Sequence, residues 1–366
     1  MSSGSKYYFP QLDAIRGLSF LGIYFVHAFH PHFGAGFFNQ LLQYLYNNLL
    51  LSLDVFFILS SFLLTWLGLN EYKATGNFSF INYFIRRALR IWPLYTLLMI
   101  FSFILIPYAT SYFHEPVTLP PARYYLFFVS NFYLEGHVYF LRFLWTLSVE
   151  EQFYLFWGLC LLVLQKRMLL CVFLLAAISI AYTIYAVQTG ADGYYNTLIY
   201  LFDFAVGILA AVLMHQDNHI IEVFKKITGI KSILFLLLLP ALFIIIFSIT
   251  YFAPNLFWYW ADILMRYIFI IYTGFFIIDQ IVNEKAFLKL KSQRFLIYTG
   301  KISYGLYCFH GIVLTFGLLL LQKTAIVLPA FLQTIFLLII NYFVSTLSYQ
   351  YIEKPFLSLK NRLRRV

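Results

Sequence analysis

The sequence predicts an all-α integral membrane protein, a bundle of about ten transmembrane helices with both termini cytoplasmic, and three observations carry that prediction. Hydrophobic residues make up 62% of the chain and charged ones 11%, with a mean hydropathy of +0.80, too little polar surface to coat a water-soluble globule. Apolar runs of roughly 18 to 25 residues recur from end to end, the length a helix needs to cross hydrocarbon. The Lys and Arg residues cluster in short stretches between those runs, so the net charge of +10 reads as a topology signal and not as a nucleic-acid surface.

Spans are expected near 12–30, 41–69, 91–112, 143–164, 168–188, 195–214, 232–252, 257–281, 296–320 and 329–351. Helices are required because lipid cannot satisfy exposed backbone groups, and the runs are too continuous for the alternation of a barrel strand. The tails and the loops after even-numbered spans hold Lys73, Arg86, Lys166, Lys225, Lys285, Arg294, Arg362 and Arg364. Of all the Lys and Arg residues, only Arg123, Arg142, Arg266 and Lys323 fall on the other side, which makes the basic side cytoplasmic. Residues 1–366 read as one membrane domain with no fused soluble domain, no internal repeat and no removable leader. Cys160, Cys171 and Cys308 lie in apolar segments at no metal-ligand spacing, so packed thiols are expected and no metal. The outer loop near 112–142, with Pro116, Pro120, Pro121 and the run YYLFFVSNFY, has the composition of an interfacial or re-entrant segment.

The informative residues are the polar ones inside the spans, because intramembrane charge is costly and functional by default. In the first span Arg16 and His27 are eleven residues apart, three helical turns, and so share a face about 16 Å long. Arg16 lies toward the cytoplasm and His27 toward the outer side. A snorkelling arginine and a satisfied interface histidine are the structural alternative. FIRRALRIWPLY opens the third span with Arg87 and Arg90 on one face and Arg86 beside Arg90. Such guanidinium forks suit the phosphates of a nucleotide-bearing cofactor, or form an ordinary positive-inside belt. Pro93 stands where a first-turn proline is tolerated.

WTLSVEEQFYLFW sets Glu150 and Glu151 about 100° apart, so at most one faces a shared cavity. A carboxylate there can orient an imidazole or bind an acceptor hydroxyl, or pair with Arg142 at the interface. Asp54, near mid-membrane in DVFFILSSFLLT, needs a partner. Asp203 and His310 should face inward, His310 either packed or in a site, and Asp262 and Arg266, four residues apart, are expected to pair with each other.

Together these segments resemble the acyltransferase-3 family of membrane acyltransferases. The resemblance rests on Arg16 and His27, Arg87 and Arg90, Asp54 in DVFFILS, Glu150 in WTLSVEEQFY, His310 in YGLYCFH, and Glu353 with Pro355 in YIEKPF, and it runs nearly end to end. Two departures stand out: Ser61 follows Ser60 where the family has glycine, and Phe309 precedes His310 where it has tryptophan. The resemblance implies about ten helices in a bacterial inner (plasma) membrane, with an acyl donor such as acetyl-CoA entering from the cytoplasm and no metal. It also implies a hydroxyl-bearing glycan or glycolipid acceptor. Some relatives carry a fused extracytoplasmic hydrolase-like domain; none is seen here, so the chain is expected to act alone or with a partner.

In that reading Arg87 and Arg90, with Arg16, hold the coenzyme A phosphates while the pantetheine arm follows the first-helix face toward His27. His27 is the general base, and Glu150 or Asp54 holds its tautomer. Glu151, His310 and Glu353 bind substrate or support the site. Membrane lipid is the expected surrounding and nucleic acid is not a partner. The competing class is a transporter or flippase for a lipid-linked sugar or anionic solute, which intramembrane Arg, His and Asp suit equally.

Overall fold

The computed structural model describes residues 8–108, 117–133, 138–164, 167–216, 218–324 and 327–360. Helix α1 (Pro10–Ala28) starts on a proline, whose missing N–H costs nothing in a first turn, and carries His27 in its last turn. Helix α2 (Phe37–Asn47) leads through a 3-10 turn at Asn48–Leu51 into α3 (Ser52–Thr75). Helix α4 (Phe80–Ile100) is capped by Ser79, whose hydroxyl accepts the Asn82 N–H, and continues through a π turn at Phe101–Leu105. There follow α5 (Trp145–Val163), α6 (Met168–Thr189), α7 (Leu201–Gln216), α8 (Ile230–Phe252), α9 (Pro254–Val282), α10 (Arg294–Lys301), α11 (Ser303–Lys323) and α12 (Ala330–Ser348). A π turn at Tyr349–Glu353 and a helix Lys354–Lys360 extend α12. No strand occurs among the described residues.

The protein is an all-α, multi-pass membrane protein: among the described residues, 8 helices are long and apolar enough to cross a membrane by length and composition. Helices α1 and α5 fill the first and fourth predicted spans but are more polar. They bury Gln11, Arg16 and Ser19, and Thr146, Ser148 and Glu151, respectively.

Three boundaries differ from expectation. Helix α4 begins at Phe80, not near 91, because Ser79 supplies the cap; Arg86, Arg87 and Arg90 therefore lie within the helix, and Pro93 is interior instead of first-turn. An interior proline is tolerated in a membrane helix, where neighbours re-satisfy the freed backbone. The ninth span breaks at Ile302 between α10 and α11, and the tenth runs on past 351, so Glu353 sits in the π turn. Pro116, Lys166, Arg362 and Arg364 lie outside the described residues.

The chain divides into two compact units. The first comprises residues 1–67, 168–177 and 201–301. Lipid removes the hydrophobic drive for helices to associate, so close packing at small residues has to replace it. Here α1 and α10 touch backbone to backbone: a Cβ on Gly17 would lie 2.3 Å from the Leu296 carbonyl oxygen, and one on Gly300 1.8 Å from that of Asp13. A Cβ on Gly207 of α7 would meet Ser61 Oγ at 2.0 Å and the Ile58 carbonyl at 2.2 Å. The close approach lost by having Ser61 in place of glycine is thus provided from the facing helix.

The second unit comprises residues 68–167, 178–200 and 302–366. Gly158 of α5 admits the rings of Phe80 and Tyr83 from α4, and Asn341 of α12 donates to the Leu306 carbonyl of α11 at 3.1 Å. Gln152 of α5 donates to the Phe128 carbonyl and to Asn131 Oδ1, both at 2.8 Å, and pins the aromatic loop to the helix.

Candidate active site

In the first unit, Arg16 and His27 share α1 as expected. Arg16 is buried and its Nη1 lies 3.1 Å from Asp13 Oδ1, one turn earlier. Asp13 also accepts the Tyr8 hydroxyl at 2.8 Å. His27 is half-buried in the last turn. That turn is anchored from α2 by Tyr46, whose hydroxyl donates to the Phe25 carbonyl at 2.6 Å and to that of Phe29. The Phe25 carbonyl also accepts the Phe29 N–H at 2.9 Å, so the Tyr46 hydroxyl adds a second bond there and ties the end of the helix to α2.

Arg266 corrects one expectation. Its Nε and Nη2 donate to the two oxygens of Asp54 at 3.2 and 3.1 Å, and Nη2 also reaches Asp203 Oδ2 at 2.6 Å. The expected partner Asp262 is exposed and takes no part. Asp54 and Asp203 are buried, at 3% and 0% exposure, and a buried carboxylate without a cation is far costlier than one that water can reach. Tertiary need therefore overrides the four-residue helical spacing. Asp54, singled out as a group that could orient His27, is held by this bidentate pair.

In the second unit the three arginines of α4 separate. Arg86 donates to Glu71 Oε2 at 2.7 Å, while Glu71 Oε1 accepts the Ser79 N–H at 3.2 Å, so Arg86 staples the α3–α4 connection and does not join the other two. Arg87 is 9% exposed and lies 5.6 Å from the centroid of the Tyr154 ring, an attraction worth about 0.5–2 kcal/mol. Arg87 and Arg90 make no ion pair among the described residues.

Carboxylates surround this pair without touching it. Glu150 Oε2 accepts the Tyr154 hydroxyl at 2.8 Å. Glu151 is buried, and its Oε1 has no hydrogen-bond partner among the described residues. Arg142, the alternative partner for Glu150, instead donates to the Tyr195 hydroxyl at 3.0 Å. Glu353 is buried, accepts from Ser348 at 3.5 Å, and sits where Gly305 leaves room, 3.0 Å from where a Cβ would be.

His310 lies deep in the second unit. It is fully buried, its Nδ1 is hydrogen-bonded to the Tyr307 carbonyl, and its ring lies 4.4 Å from that of Phe143. Gly311 makes room for Phe143, and Tyr307 shares a hydrogen with Thr146 at 2.7 Å.

Sequence reasoning missed Tyr154, which was within reach one turn after Glu150 in the same motif. Chemically, two arginines on one helix face, one of them buried and unpaired, offer a fork for phosphate oxygens, and a fixed half-buried imidazole offers a base. Among the described residues no cluster of His, Cys, Asp or Glu could hold a metal ion.

The chain is similar over 96% of its length to the peptidoglycan O-acetyltransferase OatA of Listeria monocytogenes, at 27% identity, covering 56% of that protein. A Staphylococcus aureus (strain COL) protein provisionally named as an O-acetyltransferase is 28% identical over 95% of the chain and 57% of its own length. Bacillus subtilis YrhL, provisionally named as a peptidoglycan O-acetyltransferase, is 26% identical over 95% of the chain and 55% of its own length. The chain thus spans about half the length of the curated relatives it matches. No solved structure matches it. The family model described as an acyltransferase domain matches residues 9–350, and the chain therefore belongs to the acyltransferase-3 family.

Proposed function

We propose that the chain is an O-acyltransferase that moves an acyl group, acetyl in the first instance, from acyl-CoA to a hydroxyl of a cell-envelope glycan or glycolipid. The observation that carries this reading is Arg87: a buried guanidinium that no carboxylate touches, beside Arg90, in a chain of an acyltransferase family. A buried charge without a counter-charge is costly, and the phosphates of an acyl donor would supply one. The names of the Listeria and Bacillus relatives favour a glycan as acceptor.

Arg87 and Arg90 bind the donor phosphates, and Arg16, already engaged by Asp13, has the lesser claim. His27 takes the proton of the acceptor hydroxyl as its oxygen attacks the thioester carbonyl carbon; the C–S bond then breaks, and the thiolate leaves and recovers that proton as the free thiol. Glu151 and Glu353 support the site, while Asp54 keeps its partner Arg266. Ten passages with both termini cytoplasmic put His27 on the outer side and the donor arginines on the inner side.

The test is acetyl transfer by the purified chain in liposomes, with labelled acetyl-CoA and a glycan acceptor. His27→Ala is expected to lower the rate by about 10²–10⁴-fold with yield and helicity unchanged. A fully active variant removes His27 as the base. Uptake of a solute without any acetyl transfer would replace the enzyme by a transporter.

A further inference from the structure

Helix α2 has two working faces. One carries Tyr46, which holds the turn of His27. On the other, Gln40, Gln43, Tyr44 and Asn47 follow the i, i+3, i+4, i+7 spacing of a single helical stripe. That stripe lines a cavity of about 450 Å³, closed by Tyr251 of α8 and Asp262 of α9. The volume falls within the about 300–1,000 Å³ of small-molecule sites. All of it lies in the first unit.

The lining indicates what the cavity holds. Three carboxamides, a carboxylate and the Thr250 hydroxyl provide hydrogen-bond donors and acceptors, and none of the lining residues is Lys, Arg or His. That disfavours phosphates and with them the acyl donor. Tyr44 packs 5.3 Å from Phe247, and its hydroxyl is buried without a hydrogen-bond partner. Gln43 donates to Asn47 Oδ1 at 2.9 Å, which aligns the two amides and leaves one acceptor and one donor facing outward. Aromatic faces interleaved with amides and a carboxylate, and without fixed positive charge, match a neutral polyhydroxylated ring. A quaternary ammonium would use the aromatic rings and Asp262 but leave the amides and the Tyr44 hydroxyl unanswered.

We propose that this cavity is a saccharide subsite, with the sugar face against the tyrosines and its hydroxyls bound by Gln40, Gln43, Tyr44, Asn47 and Asp262. It rests on the O-acyltransferase reading only in naming the occupant as part of the glycan acceptor. Because α2 carries the cavity on one face and the His27 anchor on the other, a sugar seated there lies at the same end of the unit as the assigned base.

The full chain in lipid nanodiscs, free of sugar-headed detergent, is titrated with tetra-N-acetylchitotetraose by saturation-transfer NMR. Two variants follow: Asp262→Asn, which keeps shape at an exposed position, and Tyr44→Phe, which keeps the ring and removes only the unpaired hydroxyl. Each is expected to weaken binding, Asp262→Asn by about 10-fold and Tyr44→Phe by several-fold, with helicity by circular dichroism unchanged. Equal affinity in the wild type and both variants overturns the subsite, as does a wild type that binds tetramethylammonium and no saccharide. Acetyl transfer is measured alongside. Variant-sensitive sugar binding without any transfer keeps the subsite and refutes the transferase; transfer with the same acceptor KM in all three proteins does the reverse.

Discussion

Arg266 and Arg87 are both arginines within apolar helices, and they are held in opposite ways. Arg266 is gripped by Asp54 and Asp203 at 2.6 to 3.2 Å, so its charge is spent inside the fold. Arg87 lies over the face of Tyr154 at 5.6 Å and makes no ion pair among the described residues. The difference supplies a criterion that can be tested for separating a structural from a functional charge in a membrane protein: on the proposed reading, burial alone does not decide it, but whether the counter-charge is already in place does.

The comparison breaks first at Arg266. Arg266→Ala strands two buried carboxylates, and a cost of about 3–5 kcal/mol is expected, seen as a collapse of folded yield and thermal stability in detergent. If the variant unfolds no more readily than the wild type, the clamp is not structural. Adding Asp54→Asn and Asp203→Asn to it should recover much of the loss, because the stranded charges are gone.

Arg87→Ala should show the opposite profile. Without donor its thermal stability is expected to match or exceed the wild type, since a buried unpaired charge has been removed, while acetyl-CoA affinity falls by about 10- to 100-fold. Arg87→Lys should recover little, because an ammonium cannot reproduce the planar fork. Unfolding of Arg87→Ala as severe as that of Arg266→Ala would erase the contrast.

Arg86 sharpens it further. Its side chain is 15% exposed and paired with Glu71, so Arg86→Ala should cost about 1 kcal/mol of stability and leave donor affinity unchanged. Loss of donor binding there would return Arg86 to the phosphate cluster. Glu151→Gln should have the smallest effect on folding, below about 1 kcal/mol, because the side chain keeps its shape and a buried negative charge is removed. Measured transfer activity then shows whether its negative charge matters to the site.

Much of this was legible before any coordinates. The long apolar runs gave the all-α, multi-pass class, and hydropathy alone was enough for it. The pairing of Arg86 with Glu71 was not legible, because it spans a turn whose geometry spacing cannot supply. Arg266 was misread for the opposite reason: a local partner, Asp262, lay at ideal helical spacing, and no sequence rule reports that two carboxylates from α3 and α7 are buried beside it. The sequence left His310 evenly between packing and site, and only the folded chain shows the Tyr307 carbonyl and the Phe143 ring beside it.

The amino-acid order by itself determined the solvent, the helical class and the residues that had to be explained, because hydropathy and period are local properties and lipid permits few backbone solutions. Tertiary structure alone decided which charges are closed into pairs and which stay open. It also decided that one stripe of α2 lines a cavity. Pairing and enclosure depend on side chains far apart in sequence, brought together where small residues let helices approach, and no local pattern encodes that meeting.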